Sequence, residues 1–242
     1  MTIDVLGVGA HPDDVELGCG ATLALLAEQG RRVGIVHLTS GEAGTRGSAE
    51  VRRREAALAA EVLGAVEIDF LDCGDGGLRT GAAEEDALIE KLRELTPRLV
   101  LVPAPRDRHP DHGRAHRLTL DACFYAGLAK RSPTLGSPHR PQAVYSYMQH
   151  DAFEPTFVVD VTSTWNKKMK ALEAYESQFF QPGRPGGDGS PTKVSSPEFL
   201  AAAEGRARHY GLGISAVYGE PFLSPSPLAV RDPWALLPQG SP

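Results

Sequence analysis

The chain has 242 residues, of which 41% are hydrophobic and 23% charged, with a formal net charge of −6. That length supports one substantial domain with a buried core, and the acidic balance excludes an overall electrostatic fit to nucleic acid or anionic lipid. No apolar run approaches the roughly 20 residues that cross a bilayer, no basic-then-apolar leader is visible, and three scattered cysteines, Cys19, Cys73 and Cys123, make no Cys-x-x-Cys pair, so a reducing cytoplasm is expected.

Apolar runs alternate with helix-period segments through the first half. Strands are predicted at Ile3–Gly9, Val33–Thr39, Val66–Leu71 and Leu99–Pro103. Helices are predicted between them at Leu17–Gln29, Ala49–Leu63 and Glu84–Leu95, with Gly30 and Gly64 as stop residues after the first two. Continuous apolar strands separated by helices imply a parallel sheet covered on both faces, an α/β fold of the Rossmann-like doubly wound kind. The second half is less regular. It carries a predicted helix at His112–Leu128, a loop at Ser132–Pro141, strands at Ala143–Met148 and Thr156–Val161, and a helix at Thr164–Ser177. A mobile Gly/Pro/Ser loop is expected over Gln181–Ser196, then a helix over Pro197–Tyr210. Residues 1–223 are expected to form a single domain and 224–242 an extended proline-rich tail.

Two short segments carry the chemistry. Ala10-His11-Pro12-Asp13-Asp14 follows the first strand, and Arg106-Asp107-Arg108-His109-Pro110-Asp111-His112 follows the fourth. In a sheet ordered 3-2-1-4 the first and fourth strands are neighbours and the topology reverses between them, so both segments leave the carboxyl edge where ligand sites form. His11 and Asp14 can grip one metal ion with a third ligand arriving from the second segment, an N/O set suited to a catalytic zinc that keeps a position for water. Asp13 then suits a general base. His109 is placed to polarise a developing oxyanion or to protonate a leaving amine, with Asp111 fixing its orientation. Taken singly, each segment reads equally well as a helix cap or a polar turn; two of them at adjacent strand ends do not.

Of the other polar residues, Arg52 at the start of the second helix is a candidate for binding an anionic substrate group by its planar fork. Glu16 is expected to be a first-turn helix acid, His37 a core residue and His116 a helix-face residue, while His139, His150 and His209 have no partner signal. Gly7-x-Gly9 closes the first strand, but a dinucleotide fingerprint needs glycine where Pro12 stands.

With these residues in view, the chain resembles the PIG-L (LmbE-like) family of zinc-dependent N-acetylglucosaminide deacetylases from about Ile3 to about Leu223. It is most similar to the branch acting on N-acetylglucosaminyl malate in bacillithiol biosynthesis. The likeness rests on His11-Pro12-Asp13-Asp14-Val15-Glu16 and His109-Pro110-Asp111-His112, supported by Glu50-Val51-Arg52, Arg106-Asp107-Arg108 and Tyr175-Glu176-Ser177-Gln178-Phe179. The broader family often has Glu directly after the two aspartates; here Val15 intervenes, as in the bacillithiol-type members. The resemblance implies His11, Asp14 and His112 as ligands of one zinc, Asp13 as base, His109 helped by Asp111 as acid or oxyanion stabiliser, and Arg52 as a contact to malate carboxylates. It also implies a small-molecule N-acetylglucosamine conjugate as substrate and a homo-oligomer, often a hexamer. Two other classes compete: a metal-dependent phosphoesterase, which normally wants a second metal, and a sugar- or nucleotide-binding module with a structural zinc closed by four protein ligands.

Overall fold

The computed structural model describes residues 2–180 and 190–236, in which seven strands and six α-helices form one three-layer α/β unit. The strands are β1 (Val5–Gly9), β2 (Val33–His37), β3 (Glu67–Phe70), β4 (Leu99–Pro103), β5 (Ala143–Tyr147), β6 (Phe157–Asp160) and β7 (Gly219–Leu223). The helices are α1 (Asp14–Glu28), α2 (Ala49–Leu63), α3 (Ala82–Leu95), α4 (Pro110–Ala126), α5 (Trp165–Glu173) and α6 (Pro197–Leu212). Among the described residues no helix is long and apolar enough to cross a membrane.

The sheet runs β3-β2-β1-β4-β5-β7-β6, so the expected 3-2-1-4 order holds. β1 pairs in parallel with both β2 and β4, through Gly7↔Ile35 and Gly7↔Leu101. Alternation along the strands feeds two cores. Val5, Val33, Ile35 and Leu101 face α1, α2, α5 and α6, while Leu6, Val8, Val36, Val100 and Val102 face α3 and α4. Gly18 has no side chain because a Cβ there would lie 2.1 Å from the Tyr147 ring, which packs on α1 and donates its hydroxyl to the Val8 carbonyl at 3.0 Å.

β7 has no counterpart among the predicted strands. It is five residues long, holds Glu220 and Pro221, and shows no apolar alternation. It inserts antiparallel between β5 and β6, and Pro221 sits one residue past the end of its ladder with β5, where no N–H is required. Glu220 caps a break in α1. At Cys19 the helix leaves helical geometry (φ −144°, ψ 20°), and the freed Ala21 and Thr22 N–H groups donate to Glu220 at 3.2 and 2.7 Å. Lys168 of α5 completes this buried cluster, its Nζ 2.6 Å from Glu220 Oε1.

α5 ends at Glu173, four residues short of the expected boundary. The Ser177 N–H donates to Glu55 of α2 at 2.7 Å, and its hydroxyl to the same carboxylate at 2.6 Å, so the chain turns away from the helix. Within the loop expected over Gln181–Ser196, residues 181–189 lie outside the described part, and Lys193–Ser195 make a short 3₁₀ turn. The tail from Ser224 is irregular and mostly exposed as far as Trp234; residues 237–242 lie outside the described part. Cys19, Cys73 and Cys123 are free and buried.

Candidate metal centre

Adjacency of β1 and β4 brings the two loops to the same carboxyl edge. After Gly9 the chain turns sharply through His11 and Pro12, and Asp13 adopts a left-handed conformation (φ 97°, ψ −21°) before α1 begins at Asp14. A non-glycine residue persists there only when its surroundings hold it. Arg52 does so: Nη2 donates to the Pro12 carbonyl at 2.5 Å and lies 3.3 Å from Asp13 Oδ2, while Nη1 donates to the Gly41 carbonyl at 3.4 Å. The His11 N–H donates to Asp14 Oδ2 at 2.8 Å, closing the turn from the other side. On the second loop, His109 caps α4 and Pro110 takes its first position, which aims the following turn at α1.

Asp14 stands between two imidazoles. Its Oδ2 is 3.4 Å from His11 Nδ1 and its Oδ1 is 3.3 Å from His112 Nε2. Ligands 2.0–2.2 Å from one tetrahedral ion are separated by about 3.3–3.6 Å, and each of these two pairs, made through a different oxygen of Asp14, falls in that range. The His11 and His112 ring centroids lie 5.7 Å apart, with His109 at 4.8 and 5.2 Å from them. The ring nitrogens of His11, His109 and His112 come within 4.8 Å of one another.

The outward nitrogens of the two flanking imidazoles face carboxylates. His11 Nε2 is 3.0 Å from Asp75 Oδ1 and 3.5 Å from Asp111 Oδ2; His112 Nδ1 is 3.5 Å from Asp107 Oδ2. His11 Nε2, His112 Nδ1, Asp107 Oδ1 and Asp111 Oδ2 are nevertheless buried without a hydrogen bond. An imidazole that gives one nitrogen to a metal presents the other N–H to an acceptor, and these carboxylates stand where such acceptors belong. Asp14 is oriented likewise, Oδ1 accepting from Gln149 Nε2. The buried His/Asp cluster is a metal-binding site by its donor set.

Burial pushes the Asp13 carboxyl up to about 7, against the pull of the Arg52 guanidinium. Burial would raise Asp14 as well, yet His112 and His11 hold it well below the usual carboxylate range. His109 is lowered by burial and then by the positive charge of His11 and His112. Its Nδ1 accepts the Asp111 N–H at 3.2 Å, which leaves Nε2 as the nitrogen that carries a proton.

His11, Asp13, Asp14, His109 and His112 thus converge on one cavity of about 270 Å³. Two expected contacts differ. The Asp111 carboxylate does not orient the His109 ring; it accepts from the Leu78 N–H at 3.0 Å and Arg114 at 2.8 Å beneath His11, and meets His109 only through its own backbone N–H. Arg52 lines the cavity but is 5% exposed, with its Nη donors turned to Pro12, Gly41 and Asp13, so no open fork remains for a substrate carboxylate. Arg108, on the cavity rim, is exposed, and no hydrogen bond or ion pair engages it among the described residues. Glu16 sits in the first turn of α1 as expected, but fully buried, accepting from the Tyr175 hydroxyl at 2.8 Å. His37 is a buried residue whose Nδ1 lies 3.1 Å from the His11 carbonyl, and His116 turns its ring to the Pro103 carbonyl at 2.9 Å.

Asp75, Asp107, Gln149 and His150 were not among the residues expected at the site. Asp107 sits inside the second motif, and its distance of five residues from His112 offered a cue. His150 stacks on His112 with ring planes 10° apart and centroids at 5.7 Å, but it reaches the site from the loop after β5, far from either motif.

The doubly wound sheet thus carries a His/Asp metal-binding cluster, open to a cavity, at its switch point. The family described as PIG-L, GlcNAc-PI de-N-acetylase, matches residues 6–123. A diacetylchitobiose deacetylase of Thermococcus kodakarensis is 35% identical over 190 residues, 72% of this chain and 70% of that one. A 4-oxalmesaconate hydratase of Pseudomonas putida is 31% identical over 193 residues, 72% and 73% of the two chains. The crystal structure of a conserved protein from Thermus thermophilus superposes with a TM-score of 0.85 at 36% identity, covering 96% of this chain and 99% of that one. The chain belongs to the PIG-L family.

Proposed function

We propose that the protein is a zinc-dependent hydrolase that removes acetyl from the amine of an N-acetylglucosamine conjugate, releasing acetate. The observation that carries this reading is Asp14 set 3.4 and 3.3 Å from His11 Nδ1 and His112 Nε2, beside a half-buried Asp13. His11, Asp14 and His112 would hold the ion, and their N₂O set suits zinc. When bound, the ion supplies a lowered pKa for water and a polarised carbonyl.

The chain's own groups supply the rest. Asp13, with its carboxyl raised to about 7, takes the proton of the attacking water onto its carboxylate near neutral pH. His109, which lines the cavity, donates a hydrogen bond from Nε2–H to the developing oxyanion, and the proton held on Asp13 passes to the leaving amine as the C–N bond breaks. Arg52 keeps Asp13 in its left-handed turn. Asp75 and Asp111 beside His11, and Asp107 beside His112, orient the imidazoles. The diacetylchitobiose deacetylase relative supports the amide substrate. The bacillithiol-type reading, with malate as aglycone, would draw on Arg108 rather than Arg52, since Arg108 is the unengaged guanidinium at the rim.

The hydratase relative favours a second reading, addition of water to a carbon–carbon double bond of an unsaturated diacid. Acetate release by the zinc-loaded protein from N-acetylglucosaminyl malate, N-acetylglucosaminyl inositol and N,N′-diacetylchitobiose separates the two. Release from at least one, at a metal-to-protein ratio near one, is expected. No release from any of them, with hydration of an oxalmesaconate-type substrate, would replace the proposal. A ratio of two with phosphate ester hydrolysis would favour the phosphoesterase.

A further inference from the structure

Two of the three proposed ligands are approached by one dipeptide that belongs to neither motif. Gln149 and His150 follow β5 in the loop that leads to β6. The Gln149 side chain is buried, and its Nε2 donates to Asp14 Oδ1. The His150 ring lies against His112 with planes 10° apart and centroids at 5.7 Å, within the range of an offset aromatic stack. The His150 N–H donates to Asp107 Oδ2 at 3.1 Å, and that same oxygen stands 3.5 Å from His112 Nδ1. His112 is therefore met by the His150 ring on one face and, through Asp107, by the His150 backbone at one edge. The dipeptide is itself held. Arg206 of α6 donates to the Gln149 carbonyl, Phe199 of α6 tilts against His150 with centroids at 5.8 Å, and Phe179 stacks on Phe199 at 6.1 Å. A line of rings thus runs from Phe179 through Phe199 and His150 to His112, and ties that ligand to the second half of the chain.

His150 also belongs, with Asp107 and His112, to a group whose ligand atoms lie within 4.8 Å of one another. The ring geometry argues against coordination there. An imidazole binds an ion through a nitrogen lone pair that lies in the ring plane, and near-parallel stacked planes share no such point between the two rings. The His11 and His112 planes, 53° apart, do converge. From this arrangement we infer that His150 is a positioning residue of the metal centre, acting through its ring face and not its ring nitrogens: it fixes the plane in which His112 presents Nε2. An imidazole free to turn about Cβ–Cγ would lose that aim, and Asp107 alone restrains it only at Nδ1. Gln149 does the same for Asp14 from the adjacent position, so a single turn of the second half aligns two ligands supplied by the first. The inference rests on the ligand set of the proposed hydrolase, His11, Asp14 and His112.

The test measures zinc affinity by competitive chelator titration, and the visible absorption of the cobalt(II)-substituted protein as a report on ligand geometry. It compares the wild type, His150→Ala and His150→Phe, with His112→Ala as reference. Phenylalanine keeps a flat ring that can stack and removes both nitrogens. His150→Ala should weaken zinc binding about 10- to 100-fold, alter the cobalt bands, and lower kcat for acetate release more than it raises KM. His150→Phe should recover most of the affinity and the wild-type cobalt spectrum. A His150→Phe variant as damaged as His150→Ala would overturn the inference, because the nitrogens would then carry the role. So would a His150→Ala variant with a lowered Tm but unaltered affinity and spectrum, which would make the ring a scaffold only. Zinc retained by His112→Ala would bring down the ligand assignment, and the positioning role with it. Zinc lost there but held undiminished by His150→Ala would bring down the positioning role alone. Neither titration nor absorption needs a substrate, so a failure to hydrolyse any N-acetylglucosaminide would strike the proposed function and leave this test decisive.

Discussion

The two halves of the molecule make different contributions to the same cavity. β1 to β4 and their helices deliver the groups proposed to hold the metal and move the proton, on two turns at adjacent strand ends. β5 to β7 with α5 and α6 supply Gln149, which orients Asp14, His150, which stacks on His112, and Glu220, which caps the break in α1. The first half is regular because parallel strands buried on both faces leave little freedom in where their ends lie. The second half holds that edge in register and shapes what reaches it. Chemistry and selectivity are therefore separable by mutation, and the sharpest tests exploit that separation.

The largest effect is expected from His112→Ala. Loss of a ligand should abolish both zinc retention on dialysis and acetate release, by at least about three orders of magnitude. Asp13→Asn should follow, with kcat reduced about 10²- to 10⁴-fold but one zinc per chain retained by elemental analysis. If zinc leaves with Asp13, the division between ligand and base is wrong.

In the second half the expected damage is to stability. Glu220→Ala strands Lys168 in the interior without a partner and frees the Ala21 and Thr22 N–H groups, a loss of about 3–5 kcal/mol. Calorimetry should show a lowered Tm, while the folded fraction keeps its zinc stoichiometry. An unchanged Tm would show that α1 needs no support at its break. The smallest effect should come from Asp107→Asn, which lies on the seam between the halves because it faces His112 Nδ1 and holds the His150 N–H. Zinc affinity in a competitive chelator titration should fall about 10- to 100-fold, with the fold intact by circular dichroism. An unaltered affinity would mean that Asp107 serves only the loop.

The same division decides what the chain reveals before it is folded. The His11–Asp14 and His109–His112 segments were legible because each binds its donors within four residues and follows an unmistakable apolar strand. The strand order then required them to meet. Asp75, Gln149 and His150 were not legible, since nothing near them in sequence is unusual and only tertiary pairing brings their loops to the edge. β7 was hidden by Pro221 and Glu220, two residues that argue against a strand and that β7 tolerates because its ladder with β5 is short. Arg52 lines the cavity, but its partners are backbone carbonyls and Asp13, which a linear sequence does not disclose.

The central claim is most directly tested by the zinc anomalous signal in a crystal of the loaded protein. The account predicts one strong peak per chain, about 2.0–2.2 Å from His11 Nδ1, an Asp14 oxygen and His112 Nε2. A peak centred instead among Asp107, His112 and His150, or one without Asp14 as a ligand, would contradict it.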